Sequence, residues 1–332
     1  MQIGQVDVDN LSEEELRAWF AADVAAHRAD GDPAPAPAWR EFCGRLQDDG
    51  WTDERPQWWL ARHDDTPVGW LRVSLPTADN PHAAIGKVVV APGCRRQGIG
   101  RQLAGVGADH ARAAGRRVFI GECSDVTPGP AFCSAIGAEP GVRGVRRLLH
   151  LDRVPAPRHE RLCEEAWQHA GGYSLVTWSG PAPDALAAEI PAVESSMNDA
   201  PVDALDYGDE HWDIGRLRRA ERNAEDTGYR LHQVGVRHDA TGDLAGLTRL
   251  AVSEENPSWA QQWGTVVVPA HRGHRLGLVV KLEMIRMLRG VEPALTTIQT
   301  DNAASNRYMI AVNELIGFEP ADSVIAYQLR LE

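Results

Sequence analysis

The chain has 332 residues, 43% of them hydrophobic and 24% charged, the balance of a soluble globular protein with two domains of ordinary size. Its net charge of −13 argues against non-specific binding to nucleic acid or to an anionic membrane, while leaving room for a local basic pocket that takes a small anion. No apolar run reaches the roughly 18–20 residues that span a bilayer, residues 1–5 lack the basic and apolar parts of a signal peptide, and the five cysteines contain no C-x-x-C pair, so a cytoplasmic protein with free thiols and no metal site is expected.

Residues 3–8 read as a strand, and Ser12 with Glu15 three positions on is a capping-box pattern that opens a helix. Residues 30–37 are a proline-rich loop. Stretches 58–62 and 68–73 flank a turn and make a hairpin, followed by a strand over 83–90. Trp58 and Trp59 then point to opposite faces, one into a core and the other toward a domain interface or pocket. Pro92 stops the strand, and Arg95-Arg96-Gln97-Gly98-Ile99-Gly100 leads into a helix with Ile99, Leu103 and Val106 on one side. Such a loop gathers backbone N–H groups, the positive end of a helix dipole and the charges of Arg95, Arg96 and Arg101 at one point, which suits a phosphate or pyrophosphate. A parallel strand at 117–120, a helix at 130–136 and a strand at 142–151 complete the first half, and 153–158 reads as a linker.

The second half begins with a helix near 160–169 and a strand at 173–178. Helices at 184–196 and 212–226 flank an acidic loop, 198–210, expected beside a substrate opening. Strands follow at 229–237, 245–252 and 262–268, then a second basic loop, Arg272-Gly273-His274-Arg275-Leu276-Gly277, and a helix marked by Leu278, Leu282, Ile285 and Leu288. A strand at 295–299, a helix at 305–316 and a strand at 323–331 close the chain. Pro92 and Pro269 are 177 residues apart and Gly137 and Gly317 are 180 apart, so the chain reads as a tandem duplication of one mixed α/β unit.

On these residues the chain resembles the GNAT superfamily of acyl-CoA-dependent N-acyltransferases, whose signature is a strand, a proline and an Arg/Gln-x-x-Gly-x-Gly/Ala loop capping a helix. Residues Arg95 to Gly100 match it in full; the second copy keeps the first and last positions and puts Arg275 where the middle glycine belongs. A second landmark, Asn-x-x-Ala-x-x-aromatic/Leu-Tyr-x-x-x-Gly-Phe, is met by Asn306, Gly317 and Phe318, with Asn313 in the Tyr slot; the first half has Val126, Cys133 and Ala138 at the corresponding places. Neither half carries the usual tyrosine acid, and Tyr308, about 140° around a helix from Asn313, is not placed to replace it.

The resemblance implies two tandem GNAT-like domains with mixed α/β sheets, 1–154 and 159–332. It implies pantetheine held by the main chain at Val88 and Val90 and at Val266 and Val268, with Asn306 touching the pantetheine arm. Pyrophosphate would be held by Arg95, Arg96, Gln97, Gly98 and Gly100 and by Arg272, Gly273, His274, Arg275 and Gly277. In tandem members similar to mycothiol synthase one half is catalytic and the other degenerate or structural; Asn306 and the helical insert at 184–226 favour the C-terminal half here.

The expected reaction moves an acyl group, most simply from acetyl-CoA, directly to a small amine in a ternary complex without a metal. A thiol of pKa about 8.5 can leave with a hydrogen bond from Asn313 or water. Glu255 is the preferred base, ahead of Glu254 and Glu122, and Cys133 reads as a small packing residue rather than a catalytic thiol. The acidic residues of 199–210 suit a cationic amine or a solvated loop. Two other classes stay open: a catalytically silent acyl-CoA sensor or scaffold, and an aminoacyl-tRNA-dependent peptidyl transferase, which the net charge opposes. The expected partner is a small molecule, not nucleic acid or membrane, and the chain is expected to be a monomer or homodimer.

Overall fold

The computed structural model describes residues 1–48, 50 and 52–331. The chain divides into two compact units, one of Met1–Gly144 with Val202–Asp209 and the stretch from Asp322 onward, the other of Val145–Pro201 with Glu210–Ala321. In chain order the first stretch holds β1 (Gln2–Val6), α1 (Glu13–Asp30), α2 (Trp39–Gln47), β2 (Gln57–His63), β3 (Thr66–Ser74), β4 (Ala83–Val90), α3 (Ile99–Ala113), β5 (Val118–Ser124), α4 (Gly129–Ala135) and β6 (Glu139–His150). Next come α5 (Ala156–Trp167), β7 (Tyr173–Ser179), α6 (Asp184–Ala187), α7 (Ile190–Glu194), α8 (Ile214–Asp226), β8 (Tyr229–His238) and β9 (Leu244–Ser253). The chain ends with β10 (Trp259–Val267), α9 (Leu276–Val291), β11 (Thr297–Ala303), α10 (Arg307–Ile316) and β12 (Glu319–Arg330). Among the described residues no helix is long and apolar enough to cross a membrane.

The sheet of unit 1 runs β1-β2-β3-β4-β5-β12, antiparallel except between β4 and β5. Its sixth strand comes from the far end of the chain: Val324 to Arg330 pair with Ser124 back to Val118. Unit 2 has the order β7-β8-β9-β10-β11-β6, antiparallel from β7 to β10 and parallel between β10 and β11. Unit boundaries therefore fall inside strands β6 and β12, and residues 153–158, expected as a linker, run into α5 inside unit 2. A period-2 pattern says which face a strand buries and not which neighbour it joins, so the sequence carries no trace of this arrangement.

Local chemistry explains most element ends. Ser12 and Glu15 close the capping box ahead of α1, and Gly31 ends that helix in the left-handed region. The helix expected over 184–196 is broken into α6 and α7, because Pro191 has no N–H to continue the ladder and is tolerated only in the first turn of α7. In unit 1, α1 and α2 cover one face of the sheet through Trp19, Phe42, Leu46, Trp58 and Trp70, while α3 covers the other with Trp59, Leu71, Ile99, Leu103 and Phe119. Trp58 and Trp59 do point to opposite faces, and both are core residues, so neither lines a pocket. In unit 2, α5 and α9 pack on one face and α6 to α8 on the other.

Candidate active site

Each sheet has one parallel junction, and it opens. Strand β4 pairs with β5 only through Ala83, Ala84 and Ile85, opposite Val118, Phe119 and Ile120. Strand β10 pairs with β11 only through Trp259, Ala260 and Gln261, opposite Thr297, Ile298 and Gln299. Beyond these pairs the strands part into a V, and the edges of residues 86–90 and 262–267 keep N–H and C=O groups that the neighbour no longer takes. The splay expected on both sides is thus present in both units.

The two V-shaped openings differ by one residue. Ile85 lies opposite Ser74 and Gln261 opposite Ala251, but toward the loops Val89 lies opposite Trp70 and Val266 opposite Leu247. The offset between copies changes from 176 to 177 residues within β10, where the β9 register shifts between Gln262 and Gly264. Trp263 is that extra residue, a bulge that unit 1 lacks. Counted from the prolines, Val88 and Val90 correspond to Thr265 and Val267. Val88 and Val90 pack on the α3 side, whereas Val266 packs toward α6 and α7, so the Val266 and Val268 pair is one residue out of phase with the first copy.

Each strand ends in a short 3-10 turn at its proline and then the basic loop. Arg95 and Arg272 share the same backbone angles, φ −71° and ψ 160°. Arg95 Nε donates to the Val90 carbonyl at 3.0 Å and Arg272 Nε to the Val267 carbonyl at 3.1 Å. Each guanidinium also meets a carboxylate at 2.6 Å, Asp30 at the end of α1 and Asp199 after α7, so these arginines tie the loop to its strand. Two further positions in each loop have positive φ: Arg96 and Gly98 in one, Gly273 and Arg275 in the other. Glycine and arginine have traded places, and Arg275 adopts the left-handed N-cap geometry without a glycine.

The first helical hydrogen bond of α3 runs from Gln102 N–H to the Gly98 carbonyl, and that of α9 from Leu278 N–H to the Arg275 carbonyl. The N–H groups ahead of them face the loop, beside the exposed Arg96, Gln97, Arg275 and His274. A Cβ on Gly100 would lie 3.2 Å from the Phe132 ring of α4, so that ring would have to give way; at Gly277 the nearest atom is an unstrained 3.8 Å away. His271 packs behind the second loop, sharing a 3.0 Å hydrogen bond with the Tyr173 hydroxyl of β7, and the His238 and His274 rings lie tilted against the same tyrosine.

Opposite the loops, α4 and α10 carry the Tyr-slot residues. Asn306 is the N-cap of α10, its Oδ1 taking the Met309 N–H at 3.2 Å. Asn313 is fully buried; its Nδ2 donates to Asn302 Oδ1 of β11 at 2.5 Å and its own Oδ1 has no partner among the described residues. Cys133 makes the matching contact in unit 1, to Cys123 of β5, and that hydrogen bond with burial holds the Cys123 thiol protonated far above its usual range. Burial, followed by these two cysteines, also pushes the Tyr327 phenol of β12 up.

Glu255 is exposed on the turn before β10, at the paired end of the V and separated from the opening by Trp259–Gln261. Glu122 is exposed on the free arm of β5. The acidic stretch is largely committed: Asp199 holds Arg272, Glu210 holds Arg216 at 2.7 Å, and Asp206 lies 3.2 Å from His82. Residues 202–209 belong to unit 1, where Leu205 and Tyr207 pack against Ala83, Val118 and Ile120.

One group escaped the sequence reading. Lys281 of α9, 3% exposed, hydrogen-bonds Gln262 Oε1, and Gln262 Nε2 in turn reaches Thr248 at 2.6 Å and Thr265 at 2.9 Å. The Lys281 ammonium stands 5.0 Å from the Phe318 ring, and burial pushes its pKa down to about 7. The signal was available: Lys281 falls in the stripe defined by Leu278, Leu282, Ile285 and Leu288.

Comparison with known proteins agrees with this geometry. Residues 14–128 match the model of the acetyltransferase (GNAT) family. A mycothiol acetyltransferase of Tsukamurella paurometabola is 26% identical over 268 residues, covering 78% of this chain and 82% of that protein. Among solved structures, a tandem GNAT protein from the clavulanic acid biosynthesis pathway superposes with a TM-score of 0.81 at 28% identity, over 100% of this chain and 98% of that one. A GCN5-related N-acetyltransferase from Sphaerobacter thermophilus shares the fold, with a TM-score of 0.66 at 14% identity over 100% and 96% of the two chains. Residues 14–128 thus carry a GNAT acetyltransferase domain, and the chain as a whole, with its two proline-ended strands that open above a helix mouth, has the fold of a tandem GNAT protein.

Proposed function

We propose that the protein is an acetyl-CoA-dependent N-acetyltransferase that acts on a small amine, with its chemistry in unit 2. The observation that carries the reading is the coincidence, in each unit, of a parallel strand pair that opens after three residues with a positive-φ basic loop at a helix mouth. The residues present fit an acyl-CoA: the loop and the first N–H groups of α9, with Arg275 and His274, would hold its diphosphate, and the free edge of 262–267 its pantetheine arm. Bound acyl-CoA supplies the activated acyl group.

The chain's own part is positioning and charge. N–H groups on the free edge of β10 polarise the thioester carbonyl, and the V fixes the acyl carbon for direct attack by the amine. The amine proton leaves to water at the mouth of the opening, because Glu255, expected as the base, stands at the paired end beyond Trp259–Gln261. Asn313 gives its amide to Asn302, so it supports the V from behind. Unit 1 keeps the full loop signature and would bind a CoA without turning it over.

The test is titration of acetyl-CoA by calorimetry alongside thiol release on a panel of small amines. Loss of turnover in Arg272→Ala/Arg275→Ala, with turnover kept in Arg95→Ala/Arg96→Ala, supports the reading; the reverse moves the chemistry to unit 1. The absent tyrosine at Cys133 and Asn313 favours a second reading, a silent acyl-CoA sensor, which binding without turnover on any amine would establish.

A further inference from the structure

Of the 34 Lys and Arg residues only two are lysine, Lys87 and Lys281. An ammonium can lose its proton inside a protein and a guanidinium cannot, and of the two lysines Lys87 is exposed on β4 whereas Lys281 is buried. Lys281 is also in an unusual place. Its ammonium is hydrogen-bonded to Gln262, the first residue of β10 beyond the last pair with β11, so it stands at the apex of the V in unit 2.

The surroundings are polar without being charged. From β10 and β9 the facing groups are Gln262, Thr265 and Thr248, and beyond α10 it is Phe318; among the described residues no ion pair holds the ammonium. Among the described residues the protein takes one of its three N–H donors. The same positions in unit 1 are Ala104, Gly86, Val88 and Leu71, and the Phe119 ring fills the space, where a Cβ on Gly86 would come within 2.2 Å. Unit 2 thus has a buried proton carrier at a position that unit 1 packs with hydrocarbon.

We infer that Lys281 passes a proton to the sulfur of CoA at the apex of the unit 2 opening, the task that the superfamily resemblance assigns to the missing tyrosine. As the amine nitrogen bonds to the acyl carbon, the carbon–sulfur bond breaks and its electron pair moves to sulfur. Lys281 gives its proton to that sulfur and becomes a neutral amine; the surplus proton of the substrate amine leaves to solvent, from which Lys281 is recharged. An amine of this acidity is well matched to a thiol leaving group, since its conjugate acid is stronger than the thiol formed.

This rests on the proposed acyl-CoA site, and the test separates the two. Lys281→Met and Lys281→Arg are compared with the intact chain for thermal stability, CoA affinity, the ultraviolet absorbance of bound CoA thiolate against pH, and turnover. Expected are folded variants with CoA affinity kept within about 3-fold, and a bound-thiol pKa returned toward that of free CoA in Lys281→Met. Turnover should fall at least 10-fold and lose its limb near neutral pH, with no rescue by arginine, which keeps the charge but not the exchangeable proton. An unchanged thiolate titration in Lys281→Met, or full turnover in Lys281→Arg, overturns the inference. If the intact chain binds CoA but transfers nothing, the thiolate titration still decides the role of Lys281; if it binds no CoA, both readings fall.

Discussion

The two units present the same opening built from different interiors. In unit 1 the strands part at Gly86 and Gly121, which approach so closely that a Cβ on Gly121 would lie 2.9 Å from the Gly86 carbonyl, and Phe119 packs over the junction. In unit 2 a one-residue bulge at Trp263 loosens the junction, and Lys281, Gln262, Thr248 and Thr265 replace the ring. Burying an ammonium costs stability that a phenylalanine would not, which is sensible only where the proton is used. Both copies keep the splayed strands and the basic loop, and they differ in what packs at the apex, a polar cluster in one and a phenylalanine ring in the other.

The largest test of that contrast is the pair of loop variants. Arg272→Ala/Arg275→Ala should lower kcat/KM for acetyl-CoA roughly 100-fold, about 2.7 kcal/mol, while Arg95→Ala/Arg96→Ala should remove one equivalent of bound CoA and leave kcat/KM within about 3-fold. Equal losses in both would mean that the units are not specialised.

Next comes stability. The folded pKa of Lys281, about 7, lies below the unfolded value of about 10.4, so between these values the unfolded chain holds more protons and stability rises with pH. Lys281→Met should therefore raise stability by on the order of 2 kcal/mol at pH 6, with the gain vanishing near pH 10.5. Thermal unfolding at the two pH values reads this directly, and a gain independent of pH would show that the ammonium is not the source.

Smaller effects sharpen the comparison at the Tyr slots. Asn313→Leu strands the Asn302 amide and should cost about 1–2 kcal/mol, whereas Cys133→Ser in unit 1 should cost less than about 1 kcal/mol; urea midpoints would order them. The smallest effect is in the traded loop positions. Arg275→Gly relieves a left-handed residue and should stabilise by about 1 kcal/mol, and Gly98→Ala should destabilise by a similar amount, because φ there is +83°.

Much of this was legible without coordinates. The paired prolines, the basic loops and the capping box of α1 are local signals, and local signals survive folding. Helix α2, residues 39–47, was not expected, and the bulge at Trp263 shows only when the strand registers are compared. Asn313 was judged by its slot in a motif; burial and the bond to Asn302 depend on β11, eleven residues away. Lys281 is hidden in the sequence because a helical stripe shows through its leucines, and one charged residue inside the stripe carries no signal until its burial is known.

The sheet of unit 1 is closed by Val324 to Arg330, the final strand of the chain. During translation β5 must wait, its outer row of amides and carbonyls bare, until Val324 to Arg330 have left the ribosome. A nascent chain halted before residue 324 lacks the strand that covers β5, so its first unit keeps a bare, sticky flank along that edge.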